Sequence, residues 1–229
     1  MVRNSIADIR REFFRKYCNN EFRIIGNSTQ QSKTVEIQNA CFIADEDGII
    51  RKPNYEYFER ELAWYESQSL NVNDIPGGAP KMWAAVADKD GYINSNYGWC
   101  IWSKDNGYQY LNAMEKLIND HGTREAIMIY NRPSMHTDFN KNGMHDFMCC
   151  QNMHYFWNDN HIDVIVNFRS NDAVFGYCND YLWAKYVLER LCDDISLISN
   201  QKIVPGTIYW NAGSLHIYER HFKYLEEMK

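Results

Sequence analysis

The sequence contains no basic segment. Its 24 Lys and Arg residues are fewer than its 30 Asp and Glu residues, the net charge is −6, and no run of five or more basic residues occurs. Because a nucleic-acid backbone is bound through many positive charges, direct nucleic-acid binding is not expected. The sequence also lacks an apolar run of membrane-spanning length, and its charged, amphipathic first segment, 1–17, does not have the pattern of a secretory signal. We therefore expect a cytoplasmic protein that does not bind membranes.

Patterns for metal sites and disulfides are missing as well. The seven cysteines include no Cys-x-x-Cys pair, and the seven histidines include no His-Glu-x-x-His spacing. Zinc sites and disulfide frameworks depend on such patterns, so we expect free thiols in a reducing compartment and no metal. No repeat or low-complexity tract interrupts the 229 residues, of which 45% are hydrophobic. This composition predicts one domain spanning residues 1–229.

Residue periodicity predicts both helices and strands. Apolar residues recur at helical spacing, with Ser5 as a cap of the first helix, in the segments 4–17, 54–70, 81–87, 107–122 and 182–191. Strand patterns occupy 33–44, 125–133, 146–157, 161–170 and 206–222. The turn residues 158–161 predict a hairpin between two of these strands, and the polar segment 26–32 predicts a loop. The expected class is α+β, with a twisted mixed sheet backed by helices.

The segment "RSNDAVFGYCNDY", 169–181, places many hydrogen-bonding groups between a strand and a helix. Arg169 ends the strand on its polar face, beside Ser170, and a guanidinium next to a hydroxyl suits a phosphate group. The alternative is a solvated surface arginine. The last acidic residue, Asp180, is either a ligand-binding group or the cap of the helix that follows, and Asn179 could replace it as the cap.

Two further pairs of residues are candidates for chemistry. Alternation along the strand puts His216 and Tyr218 on one face, where they either hold one ligand group or are both buried with their hydrogen bonds satisfied inside the protein. The adjacent cysteines in "FMCCQN" face opposite ways in a strand, so only one can face a pocket. That thiol is either a small packing residue or a nucleophile whose pKa a cation such as Arg169 lowers.

Six phrases occur in an order typical of one enzyme family. They are "RELAWYESQSLNVNDIPG", "GYINSNYGWCIWS", "IMIYNRPSM", "DFMC", "RSNDAVFGYCNDY" and "GSLHIYERHF". With them, nearly the whole chain resembles the thymidylate synthase superfamily, and within it the phage deoxycytidylate hydroxymethylases. The resemblance implies a thymidylate synthase-like fold and a transferase that converts dCMP, 5,10-methylenetetrahydrofolate and water to 5-hydroxymethyl-dCMP and tetrahydrofolate. Such an enzyme would make precursors of modified phage DNA in the host cytoplasm, with folate as co-substrate and without a metal.

The resemblance also implies residue roles. Cys149 matches the nucleophile, Glu61 the glutamate that organises water and proton transfer, and Tyr97 the tyrosine near the thiol. The implied ligand-binding residues are Arg169 and Ser170 for the phosphate, His216 and Tyr218 for the sugar hydroxyl, Asp172 and Trp83 for folate, and Arg124 for the phosphate of the partner subunit in a homodimer.

The resemblance gives Asp180 a specific role. Synthases have an asparagine at this position, and its amide matches the edge of uracil. An aspartic acid matches cytosine, because it accepts from the amino group and shares a proton with the ring nitrogen. That proton also stabilises negative charge that develops in the ring. Asp180 is therefore expected to select cytosine and to assist catalysis.

Two features depart from the family pattern. Glu125 stands where a second arginine is usual, so the phosphate site either has one charge fewer or uses Arg132 instead. Relatives continue beyond the position of Lys229, and that tail covers the folate in synthases. Alternative functions are a dUMP-methylating synthase, a CMP hydroxymethylase and a non-catalytic nucleotide-binding protein of the same fold.

Overall fold

A six-stranded sheet forms the centre of the computed structural model, which describes residues 4–26, 31–138 and 140–227. In spatial order the strands are β1 (Phe22–Gly26), β2 (Gln31–Ile43), β6 (Val204–Tyr218), β5 (His161–Asp172), β4 (Cys150–Asn158) and β3 (Ile127–Ile129). Neighbouring strands are antiparallel except β5 and β6, which are parallel. A parallel pair needs a crossover connection, and the long helix α7 (Gly176–Ser199) provides it. The predicted α+β class with a mixed sheet is confirmed.

The other α-helices of the described residues precede, connect or follow the strands. They are α1 (Ile6–Cys18), α2 (Tyr55–Ser67), α3 (Lys81–Val86), α4 (Tyr97–Trp102), α5 (Gln109–Asn119), α6 (Met135–Asp138) and α8 (Lys223–Glu226). The predicted cap of α1 is present as a capping box, in which the Ser5 side chain accepts from the backbone N–H of Asp8 and the Asp8 carboxylate accepts from that of Ser5. Among the described residues, no helix combines the length and the apolar character needed to cross a membrane.

The two faces of the sheet differ in burial. One face of β5 is fully buried and consists of the alternating residues Ile162, Val164, Val166 and Phe168. On the opposite face, the half-exposed amides of Asn152, Asn167 and Asn211 form a ladder across three strands, with hydrogen bonds of 2.9 and 3.0 Å. The core therefore lies between the first face and the helices.

The predicted boundary between β5 and the next helix is wrong. The strand continues through Asp172, and α7 begins at Gly176, so Asp180 lies inside the helix. Neither Asp180 nor Asn179 is a helix cap. The turn before α7 is instead fixed by Asp172, whose carboxylate accepts from the backbone N–H groups of Val174 (3.1 Å) and Phe175 (3.3 Å).

Several other boundaries also differ. The predicted hairpin at 158–161 is confirmed by the antiparallel pairing of β4 with β5. However, β4 begins only at Cys150, β3 is only three residues long, and α5 ends at Asn119, before Gly122. Within the predicted loop 26–32, Gly26 ends β1 while Gln31 and Ser32 begin β2, and residues 27–30 lie outside the described residues.

Candidate active site

The carboxyl group of Asp180 connects several polar groups of the site. Its Oδ2 accepts from Asn171 Nδ2 at 2.7 Å, and its Oδ1 lies 3.2 Å from the Tyr97 hydroxyl, which donates to it. Burial, which is the larger cause, and the negative charge of Glu61 raise the pKa of Asp180 to about 8, although both hydrogen bonds oppose this shift. The carboxyl is therefore mostly protonated at neutral pH and can donate as well as accept a hydrogen bond.

The thiol of Cys149 lies beside the guanidinium of Arg169, with Sγ 3.7 Å from Nη2. The same arginine donates to the backbone carbonyls of Met148 (3.0 Å) and Phe147 (2.6 Å), so it fixes the segment that carries the thiol. Burial raises the pKa of Cys149 to about 11, and the positive charge of Arg169 only partly opposes this. The expected cation is in place, but the expected net lowering of the thiol pKa is absent from the free protein, because desolvation is the larger effect.

The neighbouring thiol of Cys150 is in a different environment. Its side chain is fully buried in the hydrophobic core, whereas Cys149 is half-buried. Burial raises the pKa of Cys150 well above its ordinary value. Of the two adjacent thiols, only Cys149 contacts the arginine, as expected if one of them faces a ligand.

The buried carboxylate of Glu61 is held by two aromatic side chains. Its Oε1 accepts from the Tyr57 hydroxyl at 2.6 Å and from the Trp83 indole N–H at 2.9 Å. Burial raises the pKa of Glu61, although these hydrogen bonds oppose the shift. A carboxyl whose pKa lies closer to neutrality exchanges protons more readily at neutral pH, which suits the expected role in proton transfer.

Replacing Glu61 by glutamine should lower the turnover number by about 10²–10⁴-fold, because the amide keeps an acceptor for Tyr57 and Trp83 but cannot exchange a proton. The Michaelis constants and the thermal unfolding midpoint should change little. Steady-state kinetics with Glu59→Gln as the control would test this, since Glu59 is exposed on the same helix. Unchanged turnover of the Glu61→Gln protein would contradict the role in proton transfer.

The predicted sugar-binding residues lie together. The rings of His216 and Tyr218 meet edge to face with centroids 4.7 Å apart, and His216 Nδ1 lies 3.3 Å from Ser214 Oγ. Burial lowers the pKa of His216, so its imidazole is neutral at pH 7. In the parallel pairing of β5 with β6, Asp172 is opposite His216 and Ser170 is opposite Ser214. The candidate residues of β5 and β6 are therefore neighbours across the two paired strands.

The structure does not bring Arg124 into this group. Arg124 is exposed before β3, and its carbonyl lies 2.9 Å from His154 Nε2, four residues beyond the start of β4. Glu125 forms an exposed ion pair with Lys116. Arg132, the suggested replacement, donates to Asn94 Oδ1 at 2.8 Å and lies over the ring of Trp99 in α4, whereas Arg169 contacts the segment that carries Cys149.

Two residues that bind the candidate site residues, Tyr57 and Asn171, are not among the site residues predicted from the sequence. Tyr57 lies in the predicted helical segment 54–70 without an assigned role, yet its hydroxyl donates to Glu61. Asn171 is predicted only as one of several polar neighbours of Arg169, yet it binds Asp180. A change in the alternation of buried residues along β5 explains why Asn171 was not predicted as a site residue. Phe168 is buried, the next two residues are half-buried and Asn171 is buried again, so strict alternation gives the wrong face.

Within the described residues, no group of three or more His, Cys, Asp or Glu side chains could hold a metal ion.

Comparison with known proteins identifies the family. The sequence profile of thymidylate synthase matches residues 49–228. This chain belongs to the thymidylate synthase family. The solved structure of the thermostable thymidylate synthase A from Bacillus subtilis has the same fold, with a TM-score of 0.67 and 18% identity over 95% of this chain and 82% of that one.

Two phage relatives of this thymidylate synthase family member are much more similar in sequence. Proteins of Enterobacteria phages T4 and T2 are each 52% identical to it over 191 residues, which are 83% of this chain and 78% of each relative. Both relatives are named deoxycytidylate 5-hydroxymethyltransferase.

Proposed function

We propose that this protein hydroxymethylates dCMP, with 5,10-methylenetetrahydrofolate and water as the other reactants. The observation that carries the proposal is the position of the Asp180 carboxyl, which accepts from Tyr97 and Asn171 and acts electrostatically on Cys149, and whose pKa is raised by burial to about 8. A neutral acid offers one donor and one acceptor side by side, as the amino group and ring nitrogen of cytosine require. The names of the two phage relatives support the same substrate.

The chain's own groups suggest the order of events. The sulfur of Cys149 would add to carbon 6 of the ring and make carbon 5 nucleophilic. Asp180 would hold its proton at the ring nitrogen and stabilise the charge that develops there. After carbon 5 has taken up the one-carbon unit, loss of its proton and of tetrahydrofolate would leave an exocyclic methylene group on the ring. Glu61 would orient the water molecule that adds to this group, and departure of the Cys149 thiolate from carbon 6 would release 5-hydroxymethyl-dCMP.

The residues near Asp172 fit a folate. A folate is a flat heteroaromatic molecule with N–H donors, and it supplies a one-carbon unit at the oxidation level of formaldehyde. His221 Nδ1 is buried and has no hydrogen-bond partner among the described residues, and its ring lies 5.0 Å from that of Phe175. The Asp172 carboxylate also acts on the pKa of His221. Asp172 would accept from the ligand, and the half-buried Trp83 would bound the site beside Glu61.

A product assay tests this function. The purified protein would be incubated with dCMP, CMP or dUMP and methylenetetrahydrofolate, and the products would be separated by mass. We expect a gain of one hydroxymethyl group on dCMP. Methylation of dUMP would identify a synthase, preference for CMP would identify a ribonucleotide enzyme, and binding without any product would identify a nucleotide-binding protein.

We further propose that residues 1–229 form one catalytic domain and that two copies form a homodimer with shared sites. The exposed position of Arg124, away from Cys149, fits a residue that serves the partner's phosphate site. The half-exposed amide ladder gives the uncovered face of the sheet a surface that could meet its symmetric copy. A host cytoplasm, which contains nucleotides and reduced folates, would be the compartment of the reaction.

Mixing an Arg124→Ala chain with a Cys149→Ser chain should restore activity that neither has alone. Each hybrid dimer then holds one site with both an intact cysteine and an intact arginine, so random mixing would give at most about a quarter of wild-type activity. Sedimentation at micromolar concentration gives the oligomeric state independently. A monomer, or a mixture no more active than its parts, would contradict the shared site.

A further inference from the structure

The buried carboxylate of Asp146 links two segments that are far apart in the chain. Its Oδ2 accepts from the backbone N–H of Asn94 at 2.8 Å, and its Oδ1 accepts from the Ser95 hydroxyl at 2.7 Å. The Asn94 side-chain amide also donates to the backbone carbonyl of Asp146, at 3.4 Å. All three residues are buried, so the link lies where hydrogen bonds are stronger than in water.

Each of the linked segments leads directly to a residue of the candidate site. Ser95 lies two residues before Tyr97, which begins α4. Asp146 lies three residues before Cys149. The Tyr97 hydroxyl donates in turn to Asp180. Because so few residues separate the link from these groups, it limits how far the thiol can move relative to the Tyr97–Asp180 pair.

Stability does not explain a carboxylate at this position. Burial raises the pKa of Asp146, although hydrogen bonds from Ser95 and Asn94 oppose the shift. A raised pKa of an acid means that the fold disfavours its charged form, so a neutral side chain would cost less here. The carboxylate is therefore expected to serve the site that its two segments build.

We propose that Asp146 is a positioning residue, which holds the Cys149 thiol at its working distance from the Tyr97–Asp180 pair. The thiol would attack carbon 6 of a base that Asp180 holds, so the separation of the two groups sets the geometry of attack. A displacement of about 1 Å in such an arrangement can lower a rate about 10²-fold. This inference rests on the proposed function and extends it to a residue outside the predicted site.

Two substitutions at position 146 separate position from charge. Asp146→Asn removes the charge but can keep the link, because its amide oxygen accepts from the Asn94 N–H and its amide nitrogen donates to the Ser95 hydroxyl oxygen. Asp146→Ala removes both. We expect kcat for dCMP to fall about 10²-fold in the alanine variant and much less in the asparagine variant, with a similar KM for dCMP in both. Equal losses in the two variants, or an unchanged kcat in the alanine variant, would overturn the proposal.

Ser95→Ala removes one part of the link and remains informative if Asp146→Ala does not fold. It should lower kcat by an intermediate factor of about ten. Ser103→Ala is the matched control, since Ser103 is also buried and its hydroxyl accepts from the backbone N–H of Asp105, beyond the other end of α4. It should leave kcat unchanged when all variants are compared below their unfolding midpoints. A loss of kcat in Ser103→Ala equal to that in Ser95→Ala would identify a purely structural effect and would overturn the proposal.

The reactivity of the Cys149 thiol gives a second readout. Burial is the main cause of its raised pKa, and the negative charges of Asp180 and Asp146 add to it. Alkylation of Cys149 by iodoacetamide at about pH 8, located by mass, should therefore be faster in Asp146→Asn than in the wild type and no slower in Asp146→Ala. Slower alkylation would assign the loss of turnover to the nucleophile itself and would overturn the positioning role. The charged and titratable groups around this thiol are Asp146, Arg169 of β5, Asp180 of α7, Tyr97 of α4, Cys150 of β4 and Tyr218 of β6.

Amide hydrogen exchange distinguishes a failure of this inference from a failure of the proposed function. In Asp146→Ala, exchange should become faster in both segments, 94–97 and 147–149, whereas Ser103→Ala should change neither. If the wild type forms no product from dCMP, the proposed function fails, but the exchange still tests the link. Faster exchange in one segment alone would overturn the inference whatever the substrate.

Discussion

Replacement of Cys149 by serine should abolish turnover, whereas replacement of Cys150 should leave most of it. A serine hydroxyl is a much weaker nucleophile than a thiol, and the guanidinium of Arg169 beside position 149 cannot accept its proton. The Cys149 sulfur contacts the guanidinium of Arg169, but the Cys150 side chain is fully buried in the core. Cys150→Ser buries a hydroxyl and should cost about 1–3 kcal/mol of stability, with little effect on the rate constant of the folded protein.

Product formation and thermal unfolding, measured on both variants, distinguish these effects. Activity of the Cys150→Ser protein should be compared below its unfolding midpoint. If that variant is folded and inactive while Cys149→Ser is active, the nucleophile is Cys150 and the assignment is displaced by one residue.

Replacement of Asp180 by asparagine should reverse the base preference in part. The amide cannot supply an acid proton to the cytosine ring nitrogen, and a mismatched buried donor or acceptor costs about 1–3 kcal/mol, or roughly ten- to more than a hundredfold in kcat/KM. We therefore expect kcat/KM to fall for dCMP and to rise for dUMP. Most of the loss on dCMP should be in kcat, because protonation of the ring assists the chemical step.

The position of Asp180 inside α7 makes this test direct. The substitution removes no helix cap, so a change in kinetics would report on the carboxyl group itself. Because asparagine does not titrate, the variant should also lack the decline of dCMP affinity that we expect of the wild type when Asp180 ionises as the pH rises through about 8. An unchanged preference for dCMP would exclude Asp180 as the base selector.

Much of the fold could be predicted because its signals are local. The alternation in β5 gives the buried face, the helical spacing gives α1 and α2, and the turn residues give the hairpin of β4 with β5. The errors occur where a non-local contact decides. The short edge strand β1 exists because it pairs with β2, and α7 begins early because Asp172 stabilises the turn before it.

The properties of the candidate site could also be predicted only in part from the sequence. The sequence by itself determined the residue types, their order along the chain and the resemblance that places Cys149, Glu61 and Asp180 in one reaction. Only the tertiary structure decided their protonation states. Burial raises the pKa of Cys149 to about 11 and that of Asp180 to about 8, and burial depends on what packs around a group.

The contact between Asn171 and Asp180 was likewise decided by the tertiary structure alone. In both β5 and β6, the alternation of buried and more exposed residues shifts by one residue. The shift lies between Phe168 and Asn171 in β5 and between Ala212 and Leu215 in β6. This shift turns the Asn171 amide towards α7. Phe168 pairs with Ala212 and Asn171 pairs with Leu215, so the two strands, which are far apart in the chain, change faces together, and the alternation read along one strand alone does not predict this.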